Sequence, residues 1–202
     1  MHMSASFQLL GSPREVLAGG KIKGGMMSAH IGWATGGRNS PDVARFWKAL
    51  PFDLQQSLGG MILNVNWYEF AHLMAVDRAI VKTYGGGDVG VLRQVGAYSA
   101  RLNLNGVYKV FRRNSIHEFL ENGARLHSKF QDFGEAAYLK SSEFSSQMIH
   151  NRYCSYSPLF CESALGFYRE SLQLHGARNV AVDETCCQCR GEESCTFALR
   201  WH

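Results

Sequence analysis

The chain has 202 residues, 46% of them hydrophobic and 12% aromatic, which is enough apolar mass to bury a core and excludes a disordered chain. Its formal net charge is +4, with 21 basic and 17 acidic side chains. The basic residues are scattered, which argues against a nucleic-acid or membrane-surface binder. No positive-then-apolar leader opens the sequence and no apolar run approaches the ~20 residues of a bilayer span, so a cytoplasmic protein is expected.

Met1-His2-Met3 reads as a cloning remnant. Residues 1–18 are read as a flexible lead into one domain spanning 1–202. Glycine pairs in "AGGKIKGG" and "ATGGRNS" frame "MMSAHIGWA", which is expected to form one or two strands. In "NSPDVARFWKAL" Ser40 is the expected N-cap and Pro41 the first helical residue, with Val43, Phe46, Trp47 and Leu50 as the apolar stripe and Pro51 as the stop. A longer helix is predicted from Trp67 to Tyr84, capped by Asn66 with Glu69 three positions on, its stripe running through Phe70, Leu73, Met74, Ile80 and Val81.

After "YGGGD", helical spacing resumes over residues 89–111, with Arg112 and Arg113 as a solvated helix end. Ser115 and Glu118 form an S-x-x-E capping box for a helix whose stripe is Ile116, Phe119, Leu120, Gly123, His127 and Phe130. From Gly134 the period becomes two, and "KSSE" divides a β-hairpin. Ser157, Pro158 and Gly176 then delimit a helix. Two more strands, "RNVAVDET" and "SCTFALRW", close the chain, with Cys195, Phe197, Leu199 and Trp201 on one face. The expected class is α+β: helices packed on an antiparallel sheet, ending in a helix and then a β-hairpin.

Four of the six cysteines, Cys186, Cys187, Cys189 and Cys195, fall within "CCQCRGEESC". In a reducing cytosol such clusters are more often metal ligands than disulfides. Cys161 lies on the inward stripe of the preceding helix with Leu165, Tyr168 and Leu172, so it can meet Cys187 and Cys195 once helix and hairpin pack. Glu184 is the candidate oxygen ligand, and a closed tetrahedral set of this kind suits a structural zinc ion. Strict alternation would put Glu184 on the face of Cys186, so the site needs a bulge near Thr185. The surplus thiols keep an iron-sulfur cluster as the alternative cofactor, with Cys154 and Cys189 read as bystanders.

The residues Cys161, Glu184, Cys187 and Cys195, in "LFCESALGFYRE" and "VAVDETCCQCRGEESCTF", resemble the C-terminal metal motif of the 4-vinyl reductase domain, a sensory module of bacterial aromatic-responsive regulators. The segments "LPFDLQQSLGGMILNVNWYEF" and "GVYKVFRRNSIHEFLENG" look like a related family of short bacterial paralogues. The wider superfamily includes haem-based nitric-oxide sensors and a Golgi-transport subunit, so the resemblance implies an α+β fold enclosing an apolar pocket.

His127 is the candidate polar anchor of such a pocket, or a haem ligand, and Tyr138 and Phe144 are the other expected ligand contacts. "AYSAR" departs by one residue at both steps from the Tyr-Ser-Arg signature that holds haem propionates in nitric-oxide sensors, which disfavours haem. "YGGGDVG" lacks the lysine and hydroxyl of a P-loop, and no nucleophile motif appears, so an enzyme is not expected. The expected function is a bacterial sensory module for a small hydrophobic or aromatic molecule, signalling through a protein partner or a homodimer. The alternatives are an adaptor with a filled pocket and an accessory reductase, for which no redox site is visible.

Overall fold

A computed structural model describes residues 13–106 and 115–202. Helices α1 (Gly24–Thr35), α2 (Ser40–Ala49), α3 (Phe52–Leu58), α4 (Phe70–Tyr84) and α5 (Val91–Asn105) form the N-terminal half, with the short strands β1 (Lys21–Lys23) and β2 (Trp67–Glu69) paired antiparallel beside them. After α6 (Ile116–Arg125), strands β3 (Glu135–Ser142) and β4 (Ser145–Asn151) form a hairpin. Helix α7 (Pro158–Leu174) precedes the closing strands β5 (Ala181–Cys186) and β6 (Ser194–Arg200). The second sheet is antiparallel with order β3-β4-β6-β5. The fold class is α+β, as the periodicity implied.

The capping signals operate as chemistry predicts. Ser115 Oγ accepts from Glu118 N at the start of α6, Ser157 Oγ accepts from Leu159 N at the start of α7, and Gly176 follows α7 with φ of +90°. In α2 the cap is Asn39, whose side chain accepts from Asp42 N, one residue before the serine expected to do so.

The segment "MMSAHIGWA" is helix α1, not strand. Gly24, Gly25, Met27, Ala29, His30, Ile31 and Ala34 are all buried, on every side of the helix, so no amphipathic period survives in the sequence. Of the framing glycines, Gly19, Gly20 and Gly37 take positive φ, as turns require, while Gly24 marks a close approach: a Cβ there would lie 2.1 Å from Leu63 O. Trp67–Glu69, expected as the first turn of α4, is strand β2, because pairing with β1 overrides the local capping box. Phe70 N donates to Gly20 O at 2.9 Å, which satisfies the start of α4 through the sheet. Helix α3 was not anticipated; it buries Leu54 and Leu58. The expected continuation of α5 over 107–111 and the Arg112–Arg113 helix end lie outside the described residues.

Two apolar cores result. One gathers Ile22, Phe46, Phe70, Leu73, Met74 and Leu92 among α1–α5, and the other packs Leu120, Leu172, Phe197 and Leu199 between α6, α7 and the four-stranded sheet. Helices α5 and α7 meet at glycines: a Cβ on Gly96 would lie 1.8 Å from Ser163 O, and one on Gly166 1.9 Å from Arg93 O. Backbone-to-backbone contact this tight requires both residues to lack a side chain.

Candidate functional site

Between α1, α5, α6, α7 and the inner face of β3-β4 lies a cavity of about 210 Å³. Its wall is mostly apolar, with Met26, Leu104, Phe119, Met148, Phe160 and Phe167 prominent, and it carries three histidines, His30, His127 and His150. A mostly apolar concavity with a few convergent polar groups is the usual form of a small-molecule site.

His127, the residue singled out as a pocket anchor, does line the cavity, from a 3-10 turn (His127–Lys129) just past α6 and not from the helix itself. Its Nε2 lies 2.7 Å from Gln131 Oε1 and 2.5 Å from Tyr153 Oη, and Tyr153 Oη donates to the same Gln131 oxygen at 2.7 Å. Burial holds its pKa below the usual histidine value. His150 stacks on Tyr153 with ring centroids 5.5 Å apart, and its Nε2 lies 2.6 Å from Tyr168 Oη. Burial, with His127 adding repulsion, lowers the His150 pKa to about 3, while burial raises that of Tyr168. His150 is therefore neutral and accepts from the tyrosine hydroxyl.

The other two expected ligand contacts lie elsewhere. Tyr138 is in β3, but its hydroxyl is bound to His117 Nδ1 of α6 and does not reach the cavity wall. Phe144 sits at the β3-β4 hairpin tip, 46% exposed, with its ring beside His202. Alternation along a strand says which face a residue occupies but not whether that face borders a void.

The third cavity histidine was missed by the motif reading. His30 Nδ1 lies 2.6 Å from Asp77 Oδ1, with both residues essentially without solvent contact, and Asp77 Oδ2 has no partner among the described residues. Asp77 continues the α4 stripe of Phe70, Leu73, Met74 and Ile80, all buried, so a carboxylate at that spacing was a legible signal.

A second constellation lies behind α7. Cys161, Glu184, Cys187 and Cys195 offer ligand atoms all within 4.8 Å of one another. The Sγ–Sγ distances are 3.8 Å for Cys161–Cys187, 3.8 Å for Cys161–Cys195 and 3.9 Å for Cys187–Cys195. The β5-β6 register shifts between Glu184 and Cys186, so the bulge demanded at Thr185 is present and turns Glu184 toward the thiols. Glu184 Oε2 accepts from Arg190 at 3.1 Å, its Oε1 is buried without a partner, and burial lifts its pKa to about 7. The hydrogen bond from Cys161 pulls the Cys187 thiol well down, and giving that bond pushes Cys161 up. Cys189, read as a bystander, is also buried, while Cys154 is exposed.

No family model and no curated protein matches the chain by sequence. Solved structures match it in fold. They include an Fe(II) unliganded H-NOX protein mutant from K. algicida (TM-score 0.65, 9% identity, 90% of this chain and 97% of that one). An H-NOX protein from S. oneidensis in the Fe(II)NO state matches with TM-score 0.65 and 10% identity, over 90% of this chain and 99% of that one. An oxygen-binding H-NOX domain related to soluble guanylate cyclases matches with TM-score 0.63 and 12% identity, over 89% and 95%.

These findings correct two expectations. The kinship with the 4-vinyl reductase domain is not upheld: the whole-chain likeness is to H-NOX domains, and a four-residue ligand spacing is too local a signal to outweigh it. Nor is zinc, or an iron-sulfur cluster, supported as cofactor: the matched proteins are haem domains, and a thiol-rich donor set does not by itself name an ion. At identities of 9–12% the likeness concerns the backbone: this chain adopts the H-NOX fold.

Proposed function

We propose that the chain is a sensory ligand-binding module, acting as one domain, whose cavity holds a small and largely apolar molecule. The observation that carries this reading is the position of α7. One face of that helix gives the cavity Phe160, Ser163, Ala164 and Phe167, and its first turn gives Cys161 to the cluster that holds the β5-β6 hairpin. Occupancy of the cavity would thus bear on α7 and, through it, on a surface that a partner or second copy can read. Two of the matched H-NOX proteins are NO- and oxygen-bound, which supports a sensing role over an enzymatic one. An open cavity of about 210 Å³ favours sensing over an adaptor with a filled interior. Among the described residues no helix is long and apolar enough to cross a membrane.

Haem, which the fold family implies, does not fit these residues. The cavity of about 210 Å³ falls below even the ~300–1,000 Å³ of sites for drug-sized ligands, and a porphyrin with two propionates is larger than most of those. Among the described residues Lys23 is the one Lys or Arg on the wall, and its Nζ is already held by Val65 O at 2.7 Å and the Trp67 ring at 4.0 Å. Haemin titration is expected to give no stoichiometric shift of the Soret band; a one-to-one shifted band would refute this.

We further propose that Cys161, Glu184, Cys187 and Cys195 hold one metal ion. The three sulfurs stand 3.8–3.9 Å from one another, close enough to share one ion, and the orphaned Glu184 Oε1 supplies a fourth donor. Native mass spectrometry and plasma-emission analysis of freshly purified protein test both readings. The expected result is about one metal per chain and uptake of small hydrocarbons. A folded, metal-free chain would refute the metal site, and refusal of every small apolar probe would refute the cavity reading.

A further inference from the structure

His30 is unlike the other two histidines on the cavity wall. The Nε2 of His127 and of His150 is taken up by Gln131 with Tyr153 and by Tyr168, at 2.5–2.7 Å. His30 borders the cavity, and among the described residues its Nε2 has only Ser163 Oγ at 3.5 Å, beyond the range of a good hydrogen bond. The opposite nitrogen is fixed by Asp77 at 2.6 Å, and neither residue is more than 1% exposed.

Asp77 Oδ1 fixes one ring nitrogen, and among the described residues Asp77 has no side-chain partner but His30. The structure therefore turns the other ring nitrogen, without a close partner, toward a mostly apolar void, backed by a carboxyl group that fixes the ring's orientation.

We propose that His30 Nε2–H is the polar anchor of the cavity, and that the ligand is a small, uncharged, mainly apolar molecule bearing a carbonyl oxygen. This rests on the ligand-binding reading above and specifies its chemistry. A carbonyl accepts from Nε2–H without bringing a hydrogen of its own that needs a partner. The ligand is uncharged because the wall is mostly apolar and the Lys23 ammonium, the one Lys or Arg on it among the described residues, is already engaged with Val65 and Trp67.

Matched probes test it: 1-indanone, indane and indane-1-carboxylate, titrated calorimetrically into the full chain, with the infrared carbonyl stretch of bound indanone as a second readout. The wild type is expected to bind indanone about tenfold more tightly than indane, the worth of one well-made hydrogen bond, with the stretch moved to lower wavenumber. The double variant His30→Phe, Asp77→Leu removes donor and carboxylate together, so no charge is left unpaired; it should bind both probes alike, with an unshifted stretch. Ala164→Trp, which fills the cavity, should abolish both. Equal binding of indane and indanone by the wild type, or an unshifted stretch, overturns the anchor and leaves the cavity reading standing. Tightest binding of the carboxylate overturns the uncharged class. Binding of none of the three overturns anchor and cavity reading together. Should the double variant fail to fold, the wild-type preference and stretch decide the matter.

Discussion

The crossing of α5 and α7 gives a prediction whose size can be worked out from the coordinates. A methyl group at Gly96 would stand 1.8 Å from Ser163 O against a floor of 3.0 Å for real contacts, a deficit of 1.2 Å; at Gly166 it would stand 1.9 Å from Arg93 O, a deficit of 1.1 Å. Both obstacles are backbone atoms, so no rotamer change relieves them and the helices must part. Overpacking of this kind costs about 1–3 kcal/mol, and a contact with rigid backbone belongs at the upper end. Against it stands the gain of about 1 kcal/mol for replacing a mid-helix glycine with alanine. Gly96→Ala and Gly166→Ala should therefore each destabilise by about 2 kcal/mol. The two sites share one interface, and a shift of 1.2 Å that accommodates one methyl accommodates the other. The double variant should thus lose about 2 kcal/mol and not the additive ~4. Urea denaturation followed by circular dichroism, with unchanged m-values, is the assay. Stabilisation by either single change, or strict additivity, would refute the reasoning.

Four further outcomes are expected. His150 has a folded pKa depressed to about 3 by burial, so the unfolded chain takes up the proton first; stability is intact above about pH 6.5 and falls by about 1.4 kcal/mol per pH unit as the medium is acidified toward pH 3. Thermal melts across this range should show a shallower decline for His150→Phe, and equal slopes in the two proteins would contradict the assignment. Cys195→Ala should lose the metal proposed for the cluster and lower the melting temperature, whereas the exposed Cys154→Ser should do neither, as read by elemental analysis and calorimetry. Ser157→Ala removes the α7 cap and the Ser157 bond to Glu15 Oε1, and should cost about 1 kcal/mol in denaturant unfolding. Phe144→Ser, at the exposed hairpin tip, should shift stability by less than about 0.5 kcal/mol and leave indanone titrations unchanged; a large loss of binding would return that residue to the site.

Much of the C-terminal half was legible before any coordinates. The Ser115 and Ser157 caps, the Pro158–Gly176 bounds, the two hairpins and the inward Cys195, Phe197 and Leu199 all follow from signals a few residues wide. Even the Thr185 bulge could be inferred, because alternation conflicted with the ligand spacing. The N-terminal half was less legible. Helix α1 is buried on every side and so carries no period, and β2 forms only because β1, more than forty residues away in the chain, lies beside it.

The sequence by itself determined the class of fold, the ends of the later helices and the four side chains that converge at the tail, since caps, periods and spacings act over a turn or a strand. Tertiary structure alone decided where the void lies, that Tyr138 and Phe144 stay outside it, and that His30 meets Asp77 across 47 residues of chain. A cavity is the space left where elements distant in sequence fail to touch, and no local pattern of residues encodes that remainder.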